Sequence, residues 1–218
     1  MQLDAFDLSL VYPVLSGPPV VALDHVSLTV CTGDLIGILG PSGSGKSTLL
    51  YLLAGLKKPS AGAVFLDNQD LSSQNEDERE RQRLAGFGFI FQRHYLLPHL
   101  DLLDNILLPV QRSQSQAADK ARQLAGKLGL DVDLKRRPHE LSVGQRQLVA
   151  VARALINDPV LIFADEPTAS LDTETGLRVM DCLAGQLHRA GVVVVTHDFK
   201  ILHQATAIHQ LRDGRILA

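Results

Sequence analysis

Short apolar runs alternate with amphipathic segments along this chain. Leu35–Leu39, Val160–Ala164 and Val192–Thr196 are almost wholly apolar, which is typical of strands buried on both faces of a parallel sheet. Apolar residues spaced by three or four positions predict helices elsewhere. The predicted helices are Thr48–Ala54, Gln116–Leu128, a helix that begins within Leu141–Gln145, and Thr173–Arg189. The pattern predicts an α/β fold.

The beginning of the chain follows a different, two-residue period. Phe6–Tyr12 and Val20–Val30 are rich in β-branched residues and are separated by Gly17–Pro19, so they predict a small antiparallel sheet. Arg93–Asp158 is mainly helical by the same criteria. Further strands are predicted at Val64–Leu66, Gly86–Phe91, Ala207–Leu211 and Arg215–Ala218. One α/β core with an inserted helical segment accounts for this order.

One charged cluster and one apolar cluster need separate interpretations. Glu76–Arg83 mixes charges of both signs at helical spacing and indicates a solvated helical face. Leu96–Pro98 and Leu100–Val110 are crowded with apolar residues. These residues either pack within the helical segment or form an exposed groove for a partner helix.

Composition narrows the class of protein. The chain has 218 residues, 45% of them hydrophobic, and a net charge of −3, which does not favour DNA or RNA as the main partner. Its two cysteines, Cys31 and Cys182, lack metal-ligand spacing, so structural burial in a reducing compartment is expected. Met1–Asp7 resembles no signal peptide, and no run reaches the roughly 18 apolar residues of a membrane helix. We expect a cytoplasmic protein.

The first candidate site is a phosphate loop between the Leu35–Leu39 strand and the following helix. It fits the pattern of Gly, four residues, then Gly-Lys-Ser. Glycines and a helix N-terminus turn backbone N–H groups toward an anion. Lys46 is expected to reach the β- and γ-phosphates of a nucleotide, and Ser47 to bind Mg²⁺. The loop residues are Gly40, Pro41, Ser42, Gly43, Ser44, Gly45, Lys46, Ser47 and Thr48.

Two acidic residues and one tyrosine add to this site. Asp165 and Glu166 follow the Val160–Ala164 strand, at the sheet edge where ligands of parallel α/β folds bind. A buried carboxylate needs a cation or hydrogen-bond donors, and Mg²⁺ opposite Ser47 would supply the charge. Tyr12 ends the first strand. By its position alone it is either a half-buried strand residue or a platform for a nucleotide base.

Six motifs in a fixed order together resemble the ATP-binding-cassette (ABC) ATPases. They are the phosphate loop, Gln92 at the Q-loop position, Leu141–Gln145 as the signature motif, Leu161–Asp165 with Glu166 as the Walker B strand and its following acid, Ser170–Asp172 as the D-loop, and His197 as the switch histidine. The resemblance implies an α/β P-loop NTPase with a RecA-like core (residues 1–92 and 159–218). It also implies an N-terminal antiparallel β-subdomain and an inserted helical subdomain (residues 93–158).

The resemblance assigns catalytic and metal-binding roles within one chain. Glu166 would act as general base or position the attacking water, and His197 would contact the γ-phosphate. Gln92 would sense Mg²⁺ or the water, and the metal would be held by Ser47, Asp165 and Gln92.

Other residues are expected to contact the nucleotide itself. Tyr12 matches the aromatic position that stacks on adenine. Ser142, Gly144, Gln145 and Asp172 would contact a nucleotide held by another subunit. This arrangement implies a head-to-tail homodimer around two ATP.

The sequence departs from the family at the signature motif, where Val143 replaces a glycine. Because a β-branched residue tolerates positive φ poorly, we expect an adjusted loop or a dimer that closes less readily. Ala169-Ser170 also stands where subgroup members often have Gly-Asn, and nothing in the sequence explains this change.

The stretch from Gly88 to Pro109 resembles the ATPases of lipoprotein-releasing, macrolide-efflux and bacitracin-type peptide systems. The implied function is the ATP-hydrolysing subunit of a transporter with separate permease subunits, bound at the inner face of the cell membrane. Leu96–Val110 would receive the permease coupling helix. The alternatives are an ATP-switched module that transmits force to a membrane protein without transport, and a cytoplasmic ABC ATPase without a permease.

Overall fold

Two sheets and six α-helices make up the computed structural model, which describes residues 1–14, 17–111 and 114–217. The strands are β1 Gln2–Tyr12, β2 Val20–Cys31, β3 Leu35–Leu39, β4 Ala61–Leu66, β5 Gln69–Asp70, β6 Phe87–Ile90, β7 Leu161–Asp165, β8 Gly191–Thr196, β9 Ala207–Arg212 and β10 Arg215–Leu217. The α-helices are α1 Lys46–Leu53, α2 Glu76–Gly86, α3 Leu102–Leu107, α4 Gln114–Lys127, α5 Val143–Leu155 and α6 Thr173–Ala184. Short 3₁₀ helices cover Pro138–Glu140 and Phe199–Leu202. Ala218, the predicted end of the last strand, lies outside the described residues.

The larger sheet has six strands in the order β10-β9-β3-β8-β7-β6. Its strands from β9 to β6 are parallel, and only β10 runs antiparallel. The smaller sheet is antiparallel in the order β2-β1-β4-β5, so the N-terminal antiparallel sheet expected from the sequence is present and gains β4 and β5.

Strand β8 shows why the central runs of the sequence are continuously apolar. Val192 and Val194 belong to the core that also contains α3, α4, α5 and α6, whereas Val193 and Val195 belong to the core shared with α1 and the antiparallel sheet. Because alternate residues of a strand point to opposite faces, a strand covered on both faces needs apolar residues at every position. All four valines are fully buried.

Two helices differ from the prediction. Helix α6 ends at Ala184 and not at Arg189, because Gly185 lowers helix propensity and the chain continues in tighter turns, such as Arg189 N–H to Gln186 O (2.9 Å), before entering β8. Helix α2 is not the purely solvated face that its charges suggest. Arg79 is only 8% exposed, and Arg83 donates to the Gly55 carbonyl at 2.8 Å.

Helices α3, α4 and α5 pack against one another over part of the expected helical subdomain. In α3, Leu102 and Ile106 are fully buried, while Leu108 just beyond the helix is 46% exposed. One side of this apolar stretch therefore packs against the core, and the other side remains exposed at the surface. The subdomain boundaries after residues 92 and 158 stay predictions.

Asn105 is the buried polar residue that fixes the chain ahead of α3. It is fully buried, accepts from Leu97 N–H at 2.7 Å and donates to the carbonyl oxygens of Leu97 (3.1 Å), Leu100 (3.3 Å) and Asp101 (2.8 Å). The carbonyls of Leu97 and Asp101 also accept from Leu100 N–H (3.3 Å) and Asn105 N–H (3.0 Å). For Leu97 N–H and the Leu100 carbonyl, the amide side chain is the hydrogen-bond partner among the described residues.

Asn105→Ala should leave Leu97 N–H and the Leu100 carbonyl without partners and lower the free energy of unfolding by about 2–3 kcal/mol, measured by urea denaturation. Asp104→Ala, on the exposed side of the same helix, is the matched control and should change stability by less than about 0.5 kcal/mol. Equal losses in both variants would show that α3 is sensitive to truncation in general and not to the Asn105 amide.

Candidate functional site

Three neighbouring parallel strands end at one edge of the large sheet. Leu39 lies opposite Thr196 in the β3–β8 pair, and Asp165 lies opposite Val195 in the β8–β7 pair. The phosphate loop, the Thr196-His197 segment and the two acids therefore leave the sheet side by side. This confirms the expectation that the chemical groups share the carboxyl edge.

The phosphate loop is packed too tightly for side chains at two of its glycines. A Cβ at Gly40 would approach the Leu211 carbonyl oxygen to 2.2 Å, and one at Gly45 would approach the Ala22 carbonyl oxygen to 2.4 Å. Gly45 also has φ = 101° as the N-cap of α1, a conformation in which glycine carries no steric cost. The loop is thus held between β2 and β9 with the N-terminus of α1 behind it.

Two side chains within the loop are suited to a phosphate group. Lys46 is buried, and its ammonium donates to the carbonyl oxygens of Gly40 (2.7 Å) and Pro41 (3.0 Å), which uses two of its three N–H donors. The Ser44 hydroxyl is buried and has no hydrogen-bond partner among the described residues. A phosphate oxygen would give this hydroxyl an acceptor, so the loop fits a nucleotide.

Asp165 has the environment of a cation ligand. It is 2% exposed. Burial raises the pKa of Asp165, the hydrogen bond from Ser47 opposes this, the charge of Glu166 raises the pKa further, and Lys46 lowers it. A divalent cation between Ser47 and Asp165 would favour the ionised carboxylate and relieve its repulsion with Glu166, and hard oxygen donors are the ligands that Mg²⁺ prefers.

Glu166 is held by its backbone and by both carboxylate oxygens. Its φ is 50°, uncommon for a residue with a side chain, and its N–H donates to the Val195 carbonyl at 2.9 Å. Thr196 Oγ1 donates to Glu166 Oε2 at 3.1 Å, and His197 Nδ1 lies 2.8 Å from Oε1. The His197 side chain is 67% exposed, so its other ring nitrogen can face a ligand.

Lys46, Ser47, Asp165 and Glu166 border a cavity of about 360 Å³, whereas Gly40, Pro41 and His197 line a separate pocket. It is lined by Tyr12, Val20, Val21, Ala22, Ser42, Gly43, Gly45, Lys46, Ser47, Thr48, Gln92, Asp165 and Glu166. The lining combines an aromatic and apolar group, which suits a base, with the phosphate loop, which suits the phosphates. Its two acids suit a metal ion bound to the nucleotide. Tyr12, Gln92 and the two acids are brought together with the loop as the sequence predicts.

The signature and D-loop residues lie elsewhere. Among the described residues, the cavity lining does not include Ser142, Gly144, Gln145 or Asp172. Ser142 and Gln145 form a reciprocal capping box at the start of α5, with contacts of 3.0 and 3.2 Å. A Cβ at Gly144 would stand 3.1 Å from the Ser170 carbonyl oxygen, so the signature and D-loop segments pack together.

Asp172 caps helix α6. It accepts from the Thr175 backbone N–H at 2.9 Å and from the Thr175 hydroxyl at 2.8 Å. These two hydrogen bonds lower the pKa of Asp172. The carboxylate therefore stays ionised at the exposed end of the D-loop.

The expected backbone difficulty at Val143 is absent. Val143 is the first residue of α5, Ser142 before it has φ = −62°, and Val143 does not occur among the positive-φ residues described. A helical first-turn position accepts a β-branched residue at little cost, so Val143 causes no backbone strain here. The adjusted loop stays a prediction. The side chain is 49% exposed beside the signature residues. Its effect on dimer closure stays a prediction.

Sequence reasoning missed two positioning residues. Thr196, 1% exposed, donates to Glu166 and accepts from Asp198 N–H at 3.0 Å. Gln147, 2% exposed, donates to the Pro167 carbonyl at 2.9 Å and so joins α5 to the loop after Glu166. In the sequence, Thr196 stands out as the polar residue that ends a run of four valines. Gln147 stands out as a glutamine on the buried face of a helix.

A family model described as ABC transporter matches residues 23–169, more than half of the chain. The chain belongs to the ABC transporter family. This confirms the family that the six motifs predict. In the part of the chain that the structure describes, no helix is long and apolar enough to cross a membrane.

Two curated relatives of this chain belong to the lipoprotein-releasing and macrolide-export systems that the sequence predicts. The lipoprotein-releasing system ATP-binding protein LolD of Aquifex aeolicus is 40% identical over 200 residues, which are 89% of this chain and 89% of LolD. The macrolide export ATP-binding/permease protein MacB of Shewanella oneidensis is 42% identical over 201 residues, which are 90% of this chain but 30% of MacB. The lipoprotein-release and macrolide-export part of the prediction is confirmed.

Solved structures confirm the fold class. The dimeric structure of the bacterial ABC transporter cassette MJ0796 has a TM-score of 0.93 and 34% identity, covering 99% of this chain and 97% of that chain. A dimeric post-hydrolysis state of the same cassette bound to ADP and Pi gives the same values. The ABC protein is therefore an ATP-binding subunit with a P-loop NTPase fold, and its enzyme class is ATPase.

Thr196→Val should lower kcat for ATP hydrolysis about 10-fold with little change in KM, because Glu166 loses the hydrogen bond that orients one of its oxygens. Steady-state kinetics with Mg²⁺ and ATP measure this effect. Thr206→Val is the control, since the Thr206 hydroxyl donates to the Leu35 carbonyl (3.2 Å) at the opposite end of β3. A similar loss of kcat in both variants would assign the effect to packing of the sheet.

Proposed function

We propose that this ABC ATPase works as a head-to-tail homodimer around two ATP and drives conformational change in separate membrane permease subunits. The observation that carries the proposal is the division of the site. The phosphate loop, Asp165, Glu166 and His197 share one edge of the sheet. The signature residues lie outside the cavity that the phosphate loop and the two acids border.

The cavity gives each part of MgATP a set of partners. Tyr12 would stack on the adenine, and the loop amides with Lys46 would bind the phosphates. Ser47, Asp165 and Gln92 would hold Mg²⁺. The metal, when bound, neutralises charge on the β- and γ-phosphates.

Glu166 is the proposed general base. Hydrogen bonds from Thr196 and His197 hold its two oxygens in a fixed direction. A carboxylate oriented in this way can accept the proton of the attacking water. His197, mostly exposed, would hold the γ-phosphate through its second ring nitrogen.

The dimer follows from the exposed start of α5. Ser142 is exposed and lies at the N-terminus of a helix of 13 residues, which favours an anion. In a head-to-tail pair, Ser142, Gly144, Gln145 and Asp172 of each copy would face the γ-phosphate on the other. The dimeric MJ0796 cassette supports this arrangement.

Glu166→Gln should lower kcat by about 10²- to 10⁴-fold, because an amide cannot accept the proton of the water. ATP binding should persist, so the variant should accumulate as an ATP-dependent dimer, followed by light scattering. Glu174→Gln is the matched control, since the Glu174 side chain is 85% exposed on α6, and should behave as wild type. Normal turnover by Glu166→Gln would place the base elsewhere.

A second cavity, of about 450 Å³, supports the permease partner. It includes three exposed apolar side chains, Leu84 (41%), Tyr95 (61%) and Leu108 (46%). An apolar groove with a charged rim suits an amphipathic helix. The full lining is Glu80, Arg83, Leu84, Phe87, Gly88, Phe89, Phe91, Tyr95, Leu108, Pro109, Arg153, Ala154 and Asn157. Of the predicted docking stretch Leu96–Val110, this lining includes Leu108 and Pro109, and helices α2 and α5 contribute much of the rest.

The floor of this groove is continuous with the catalytic strands. Phe91, next to Gln92, packs against Phe89 with ring centroids 5.5 Å apart, and Phe89 packs against Phe163 at 5.7 Å. Phe163 lies two residues before Asp165 in β7. A helix bound in the groove would therefore rest on side chains that are adjacent to the metal and Q-loop positions.

Leu108→Glu should abolish retention of the permease by the tagged protein in detergent-solubilised membranes, because the charge would be buried against the docking helix. Retained integral membrane proteins are identified by mass spectrometry. Leu177→Glu, at a position 40% exposed on α6, should retain them. Leu103 is a poorer test site, since it packs against the core. Equal retention by both glutamate variants would place docking outside this groove.

Turnover separates the transporter from the two alternatives. A pump should show ATP hydrolysis stimulated by a transported substrate in the reconstituted complex, at the inner face of the membrane. A force-transmitting module should bind its membrane partner without that stimulation. A cytoplasmic ABC ATPase without a permease should retain no membrane protein at all.

A further inference from the structure

Lys57 makes a double contact with the proposed base-stacking tyrosine. Its ammonium donates to the Tyr12 hydroxyl at 2.9 Å and lies 4.1 Å from the centroid of the Tyr12 ring. The two distances together place the ammonium over one face of the ring and near its hydroxyl end. A cation over an aromatic face is attracted by the ring electrons.

Lys57 contacts Tyr12 without lining the nucleotide cavity. Among the described residues, the lining of that cavity includes Tyr12 but not Lys57. Lys57 lines a separate crevice with Leu52, Val64 and Arg79. The lysine therefore leaves the cavity space beside Tyr12 open to a base.

The backbone that carries Lys57 is fixed independently of any ligand. The N–H groups of Leu56 and Lys57 donate to the Tyr51 carbonyl at 2.9 and 3.2 Å. The carbonyl of Gly55 accepts from Arg83 at 2.8 Å. Arg83 in turn pairs with Glu76 at 2.6 Å. Helix α2 thereby fixes the position of the segment Gly55–Lys57.

The same loop is joined to β1. The Ser60 hydroxyl accepts from Val11 N–H at 3.1 Å, and Ser60 N–H donates to the Ser9 carbonyl at 2.8 Å. Tyr12 follows Val11 directly, so the tyrosine and the lysine are anchored to one another through backbone contacts as well as through their side chains.

We propose that Lys57 is a positioning residue for nucleobase recognition: it holds the Tyr12 ring in place for the base and thereby strengthens ATP binding. The inference rests on the proposed stacking role of Tyr12. It predicts an effect that depends on the base and not on the phosphates.

The test compares binding of ATP and of inorganic triphosphate, both with Mg²⁺, by isothermal titration calorimetry. Lys57→Met should raise the Kd for ATP about 2- to 5-fold, the size of an exposed cation–π contact, and leave the Kd for triphosphate unchanged. Lys57→Arg should restore ATP binding. Lys58→Met removes the same charge from the adjacent exposed lysine and should bind ATP as wild type.

Tyr12→Ala and the double variant with Lys57→Met complete the cycle. Tyr12→Ala should weaken ATP binding about 10-fold, and adding Lys57→Met should weaken it no further, because Lys57 acts through the ring. A Tyr12→Ala variant with unchanged ATP affinity would refute base stacking itself. If only Tyr12→Ala has an effect, stacking stands and the role of Lys57 is refuted.

Two other results would also overturn the inference. If Lys57→Met weakens triphosphate binding as much as ATP binding, Lys57 acts by its charge on the phosphates. If Lys57→Met tightens ATP binding, the lysine competes with the base for the ring. Lys57 and Lys58 are exposed, so Lys57→Met, Lys57→Arg and Lys58→Met should keep the wild-type unfolding temperature, which is measured in parallel.

Discussion

The parallel register of β3, β8 and β7 is the constraint on which the catalytic site depends. Because Leu39 pairs with Thr196 and Asp165 with Val195, three loops of different chemistry leave the sheet at one level. Strand β8 lies between the other two, which puts Thr196 and His197 between the phosphate loop and the acids. A shift of one residue in the β8–β7 pair would turn Asp165 to the opposite face of the sheet and away from Ser47.

Much of this arrangement could be predicted from the sequence. Continuous apolar runs ending in Gly40, Asp165 and His197 indicate parallel strands whose chemistry lies at one edge, and the structure agrees. Boundaries were harder to predict, as α6 shows. Helix propensity is only a weak preference, and the need to turn into β8 decided where that helix ends. The charges of α2 were misleading, because Arg79 is buried beside Gly55, Leu52 and Val64, which are distant along the chain.

The side chains that position the reactive groups were beyond prediction for a related reason. Thr196 and Gln147 make their hydrogen bonds to Glu166 and to Pro167, partners 30 and 20 residues away. A single sequence shows no pairing of that kind. Burial supplies the missing information, since a buried hydroxyl or amide must find a partner. A polar residue inside a strongly apolar pattern is therefore the feature of a sequence that most often indicates such a positioning role.

Both proposed binding surfaces of the protein are connected to the nucleotide site through short, packed segments. Gln147 joins α5 to the loop after Glu166, and the close approach of Gly144 to Ser170 joins the signature motif to the D-loop. A change at Glu166 would thus be passed to the surface proposed to face a second copy. The groove is connected in the same way, through Phe91 beside Gln92. Because packed side chains have few alternative arrangements, displacement at either surface requires a coordinated movement at the nucleotide.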